Sequence, residues 1–172
     1  MKILNSVIVI LIVAIYTLAF TIRPLGAATL AGAGSNIAET EDMTETETEC
    51  PYTPDEFYEM SHVISAEAGN CTWEMMAGVG YVVMNRVKAK CWPNTVYDVI
   101  HQPGQYTCVT NGSFYAEPTA MACEVADYVL RNGSQYPENV VYQANGVQGE
   151  GEYTRESCEG YNDMIYCYGR IE

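Results

Sequence analysis

A chain of 172 residues that carries 22 acidic and 8 basic side chains has a formal charge of −14, which argues against long-range attraction to nucleic acid or to an anionic lipid surface. The first fifty or so residues lack a globular pattern, so roughly 120 remain to fold, which suits one domain, and no second domain is expected. Seven cysteines without a CxxC pair and only two histidines, His62 and His101, speak against a structural zinc site, and no metal or other cofactor is expected.

The opening MKILNSVIVILIVAIYTLAF places Lys2 before a run, Ile3 to Phe20, whose polar residues are Asn5, Ser6 and Thr17. Residues 1–28 therefore read as a signal peptide or a signal anchor. Gly26 and Ala28 suit a cleavage site, while the length of the apolar run suits retention, so export is expected and cleavage stays open. Nine of the 22 acids fall between Glu39 and Glu59, mostly in ETEDMTETETE. Residues 29–52 read as a solvated acidic spacer, since the tract lacks the glycine-turned loop of a calcium site.

The folded domain, residues 53–172, opens on Thr53-Pro54-Asp55-Glu56. Thr53 caps, Pro54 takes the first helical position and Glu56 closes a capping box, so a helix runs from here to Ala68 and stops at Gly69-Asn70. Thr72 caps a second helix from Trp73 to about Lys90, with Met76, Val79, Val83 and Val87 inward. Gly78 and Gly80 each cost this helix about 1 kcal/mol against alanine, which close packing on a neighbouring helix would offset. Thr95 caps a short helix to His101 that Pro103-Gly104 ends. Gln105 to Tyr115 reads as an irregular loop, and Thr119 to Arg131 as a further helix closed by Asn132-Gly133. Asn139 to Ala144 and Met164 to Tyr168 read as a small antiparallel pair of strands, with a glycine-rich segment between them. The class is α+β: helix-rich, with one small sheet.

Chemistry is concentrated at Glu67. Met60, Val63 and Ile64 precede it by seven, four and three residues, so all four share a helix face. An acid near a helix end is ordinarily solvated, but one held on an apolar stripe resists ionisation and can still be protonated near neutrality, as the general acid of glycosidic cleavage must be. Pro103-Gly104-Gln105-Tyr106 offers an amide and an aromatic face to a polar ligand, or is a plain turn. Fourteen tyrosines against three phenylalanines fit a sugar-binding cleft and equally a ligand-free secreted surface. Asn85-Arg86 braces the helix or holds a substrate group. No GxSxG elbow exists, and seven cysteines in an exported chain favour disulfides and burial over a reactive thiol. Cys158 with Cys167, across a turn, and Cys71 with Cys91, across a helix, are the expected pairings. Asn70-Cys-Thr, Asn111-Gly-Ser and Asn132-Gly-Ser match a glycosylation acceptor, which matters only in a host that glycosylates.

Three separated blocks, ISAEAGNCTWEMMAGVGYVVMNRV, WPNTVYDVIHQPGQYTCV and ENVVYQA, resemble the SleB-type cell wall hydrolase family in its own order, from about Phe57 to the C-terminus. The resemblance implies a lysozyme-like, lytic-transglycosylase-like fold related to spore-cortex-lytic enzymes. It sets the family's glutamate on Glu67, with Asn85, Gln105 and Tyr106 lining or supporting the cleft and Tyr142 and Tyr166 supplied by the strands. Where the family often has an aromatic and a histidine after the strand tyrosine, this chain has Gln143-Ala144, and Cys91-Trp92 replaces the usual phenylalanine before PNT.

The implied activity is cleavage of the N-acetylmuramic acid to N-acetylglucosamine bond of peptidoglycan by a monomer that is secreted or wall-associated, and anchored only if the N-terminal segment is retained. With Glu67 alone, a lytic transglycosylase suffices. A second carboxylate from Asp98, Glu117, Glu150 or Glu152 would make a lysozyme-type hydrolase. An amidase and a non-catalytic peptidoglycan-binding module remain the alternatives.

Overall fold

A computed structural model describes residues 50–172; the N-terminal segment 1–28 and all of the acidic spacer up to residue 49 lie outside the described residues. Five α-helices precede three strands: α1 Pro54–Ala68, α2 Trp73–Lys88, α3 Val96–Ile100, α4 Thr107–Asn111, α5 Ala120–Asn132, β1 Val140–Ala144, β2 Gly151–Glu156 and β3 Met164–Tyr168. Among the described residues no helix is long and apolar enough to cross a membrane.

Helix starts follow side-chain chemistry closely. Thr53 accepts from the Glu56 amide while Glu56 Oε2 accepts from the Thr53 amide at 2.8 Å, the full capping box, and the hydroxyls of Thr72, Thr95 and Thr119 accept from one amide each to cap α2, α3 and α5. Each cap satisfies an amide that the first turn leaves without a partner.

Helix α2 is the axis of the domain. Its residues from Met75 to Val83 are buried without interruption, so it is enclosed on every side rather than along one stripe. Helices α1 and α5 pack on it, and β1 and β3 cover another side. The two internal glycines serve different neighbours. A Cβ at Gly80 would meet Val129 of α5 and Ile64 of α1 at 3.1–3.2 Å, the close helix packing expected. At Gly78 the neighbours are instead the phenol rings of Tyr166 and Tyr136. Tyr166 is fully buried and its hydroxyl donates to the Met75 carbonyl at 2.7 Å.

The sheet has the order β1-β3-β2, antiparallel throughout. The expected pair is present as β1 and β3, and β2 is an addition. It lies in the glycine-rich segment taken as a connection, and its sequence GEYTRE has no buried residue and lacks the apolar alternation that marks a half-buried strand. Arg155 holds this edge by bonding Glu152 at 2.9 Å and Asp163 at 3.1 Å. The irregular loop expected over Gln105 to Tyr115 is also corrected: α4 forms there, closed by Gly112 with φ +87°, followed by a 3-10 turn at Ser113–Tyr115. Short helices of one turn carry too little periodicity to be read from sequence.

Much of the tyrosine content is structural. Tyr136 meets Tyr81, Tyr153 and Tyr166 edge to face with centroids 5.0–5.3 Å apart, and Tyr153 meets Tyr168 at 5.6 Å. These rings bind the sheet to α2. Neither cysteine pairing expected from sequence is present, and all seven cysteines are free thiols in the structure. Cys71 lies beside Cys158, Cys91 donates to the Arg170 carbonyl at 3.2 Å, and buried Cys167 accepts from the Gln148 amide at 3.4 Å.

Candidate active site

Helix α1 delivers Glu67 in its last turn. Met60, Val63 and Ile64 on the same face are fully buried, and they draw Glu67 partly out of solvent. No basic residue occupies that last turn, so nothing on the helix offsets the unfavourable meeting of a carboxylate with its negative end. Burial pushes the carboxyl above the ordinary glutamate range, and one group opposes the shift, the neighbouring Cys108 thiol.

Cys108 is the neighbour that sequence reasoning missed. It sits buried on α4, and burial first, then Glu67, pushes its thiol up to about 12. A thiol held protonated is a donor to Glu67, not a nucleophile. Its only sequence signal was its place two residues after Tyr106 in PGQYTCV, where it read as one more small buried residue.

Tyr106 is buried, and its hydroxyl lacks a partner among the described residues. Burial raises this phenol to about 12; Arg86 opposes the shift while Glu67 and Cys108 add to it, which sets Tyr106 beside both. Arg86 fixes the ring from behind. Its guanidinium lies 4.3 Å from the Trp92 centroid and 5.5 Å from that of Tyr106, and its Nε donates to the Val141 carbonyl at 2.7 Å. One cation thus ties α2, the turn after it, the PGQY segment and β1 together.

The remaining sequence candidates separate by position. Gln105 is exposed beside Tyr106. Tyr142 is half-buried and meets Trp92 edge to face at 5.9 Å. Asn85 is internal and gives its amide to the carbonyls of Pro137 at 2.8 Å and Val140 at 2.9 Å, so of its two expected roles the structure shows the brace. Tyr166 is internal as well, and Tyr106 offers no open ring face for stacking in this conformation. The structure therefore gathers Glu67, Cys108, Tyr106 and Arg86, with Trp92 and Tyr142 behind.

The candidate second carboxylates each have another neighbour. Asp98 bonds the Thr95 hydroxyl at 2.7 Å, Glu152 holds Arg155, Glu150 faces Arg170 at 4.0 Å and Glu117 stands by Cys123. Two concavities of the described residues lie elsewhere. One of about 530 Å³ is lined by Glu138, Glu150 and Arg170, and the other, about 510 Å³, by Tyr58, Glu59 and Tyr97. Burial and polar geometry, not size, single out Glu67.

Residues 72–166 match the cell wall hydrolase family model, more than half of the chain, in a span that begins just after Glu67. The spore cortex-lytic enzyme of Oceanobacillus iheyensis is 28% identical over 139 residues, 79% of this chain and 50% of that protein. The spore cortex-lytic enzyme of Bacillus subtilis is 30% identical over 87 residues, 50% of this chain and 28% of that protein. The chain thus spans at most about half the length of these relatives. Among solved structures, the catalytic domain of the Bacillus cereus SleB protein aligns with a TM-score of 0.54 at 22% identity, covering 67% of this chain and 91% of that domain. The catalytic domain of the germination-specific lytic transglycosylase SleB from Bacillus anthracis aligns with the same TM-score at 23% identity, covering 67% and 96%. These likenesses establish the helix-rich, lysozyme-like fold with its small antiparallel sheet. The chain belongs to the cell wall hydrolase family.

Proposed function

We propose that this protein is an exported lytic transglycosylase that cuts the β-1,4 bond from N-acetylmuramic acid to N-acetylglucosamine in peptidoglycan, with Glu67 as its only catalytic carboxyl group. The observation that supports the reading is a half-buried carboxyl that burial raises, with the Cys108 thiol beside it. The protonated Glu67 gives its proton to the glycosidic oxygen as that bond breaks, and positive charge develops on the muramoyl ring in an oxocarbenium-like state. The N-acetylglucosamine-bearing fragment leaves as an alcohol. Glu67, now a carboxylate, takes the proton of the muramoyl 6-hydroxyl, whose oxygen attacks its own anomeric carbon and closes a 1,6-anhydro ring. The acid ends protonated, as it began, and no water is consumed.

In this reading Cys108 stabilises the ionised form of Glu67 between the two proton transfers, while burial favours the protonated form. Gln105 and Tyr142 are the sequence candidates best placed to meet the glycan, since both keep exposed surface. Tyr106, held by Arg86, shapes the wall beside Glu67; Asn85 and Tyr166 support it from within.

The test is mass spectrometry of the soluble products released from purified peptidoglycan, spore cortex included, by the parent and by Glu67→Gln. The expected result is anhydro-ended muropeptides from the parent and a loss of turnover of at least about 10²-fold in the variant, on the usual scale of general acid-base catalysis. Products that carry the added water would replace transglycosylation by hydrolysis. A variant that digests sacculi as well as the parent would remove Glu67 from the mechanism, and a parent that binds walls without releasing anything would make the domain a binding module.

A further inference from the structure

We infer that Cys71 and Cys158 form a redox-closable clasp, a disulfide site that joins the turn after the Glu67 helix to the turn between β2 and β3. The fold has already brought the two turns into register. Cys158 Sγ donates to the carbonyl of Asn70, the residue next to Cys71, at 3.6 Å, which sets the two thiols side by side. The Asn70 side-chain amide donates to the Tyr161 hydroxyl at 2.8 Å. Each turn is also braced internally, Cys71 N to the Ala68 carbonyl at 2.9 Å and Tyr161 N to the Cys158 carbonyl at 3.1 Å. Both cysteines are half-buried against the main core.

The other five cysteines have different neighbours. Cys50 lies near Tyr52 and Arg131, Cys91 meets the Arg170 carbonyl, Cys108 serves Glu67, Cys123 faces Glu117 and Glu124 and Cys167 accepts from Gln148. An odd cysteine count is thus consistent with one pair and several single thiols.

Closure needs a disulfide oxidant, a small-molecule disulfide such as oxidised glutathione or a protein one. One protein thiol, deprotonated, attacks the oxidant and forms a mixed disulfide, releasing one oxidant half as a thiol. The second, deprotonated, displaces the other half. Two electrons and two protons pass from the cysteine pair to the oxidant, which leaves as two thiols, and one S–S bond replaces another. Burial, then Cys158, pushes the Cys71 thiol up to about 12, so uncatalysed closure is slow at neutral pH.

The clasp encloses most of the folded domain in one covalent loop, and loops of that size constrain the unfolded chain most. It also fixes the segment immediately C-terminal to Glu67. The experiment equilibrates the full chain with oxidised glutathione or with dithiothreitol, alkylates it under denaturing conditions and maps unreduced peptides by mass spectrometry. The expected results are a Cys71–Cys158 linked peptide in the oxidised sample alone, and a melting midpoint higher by about 10 °C than in the reduced sample. Cys158→Ser should abolish that difference. Recovery of both cysteines alkylated after oxidation, either cysteine as a glutathione adduct only, or Cys71 linked elsewhere would overturn the inference. Peptide mapping of the parent stands even if the variant folds poorly, and because it reads thiols it is independent of the role of Glu67.

Discussion

Gly78→Ala tests whether the buried phenol of Tyr166 dictates the residue beneath it on α2. An added methyl group would stand 2.6 Å from Tyr166 Oη and 2.8 Å from the Tyr136 hydroxyl, closer than real side-chain carbons approach. Tyr166 cannot yield cheaply, because it is fully enclosed and anchored to the Met75 carbonyl. Alanine gains about 1 kcal/mol of helix propensity. Against this, overpacking costs about 1–3 kcal/mol and surrendering the Tyr166 hydrogen bond about 1 kcal/mol. The balance is a net loss of about 1–3 kcal/mol, which for a domain of this size lowers the melting midpoint by about 5–10 °C. Gly80→Ala in the same helix is the internal control. Its methyl would meet only side-chain carbons at 3.1–3.2 Å, so a small adjustment offsets the propensity gain and stability should change by less than about 1 kcal/mol. Thermal or urea unfolding of both variants decides the matter. A Gly78→Ala protein as stable as the parent, or a Gly80→Ala protein that is the weaker of the two, would refute the packing argument.

Glu67 makes a prediction about pH. Because burial raises its carboxyl, the native state holds this proton more tightly than the unfolded chain does. Its stabilising contribution is therefore complete below the ordinary glutamate pKa and disappears as pH climbs through the raised native value. Unfolding free energies across that window should fall with rising pH more steeply in the parent than in Glu67→Gln, and wall-cleaving activity should decline along the same alkaline limb; identical slopes would contradict a buried Glu67. Cys108→Ala removes the thiol that favours the carboxylate, so the alkaline limb of the pH-activity profile should move upward, and a limb that moves downward would show that the thiol is no donor. Asn85→Ala orphans two carbonyls that the amide now satisfies. It should cost about 2–4 kcal/mol by urea unfolding, and a loss below 1 kcal/mol would show that the brace matters little.

The parts of this fold that could be read in advance are those where local chemistry and tertiary packing agree. Thr53, Thr72, Thr95 and Thr119 each cap with their own hydroxyl, so helix starts need no knowledge of the rest of the chain. Met60, Val63 and Ile64 announce the face that buries Glu67 by spacing alone. What stayed hidden depends on partners far away in sequence. Strand β2 has no buried residue, unlike the other edge strand β1 that packs on α2, and it pairs only with β3. Cys108 and Tyr106 acquire their meaning from Glu67, some forty residues earlier, and Arg86 from Trp92 and Val141 on either side of the loop it fixes. Tyrosine abundance misled for a physical reason: a phenol suits a sugar cleft and a buried edge-to-face cluster equally well, and composition cannot tell them apart.

The order β1-β3-β2 gives the domain a timetable as well as a shape. The strand made last lies between the two made before it, so neither earlier strand has a lasting partner until Met164 to Tyr168 emerges. Tyr166, which seats on Gly78 and the Met75 carbonyl, arrives in that same final stretch. A nascent or threading chain can form its capped helices early, yet the sheet that covers one side of α2 is incomplete until the end. Assembly is thereby coupled to completion, and a protein cut short before β3 would offer proteases an open helix in place of a closed domain.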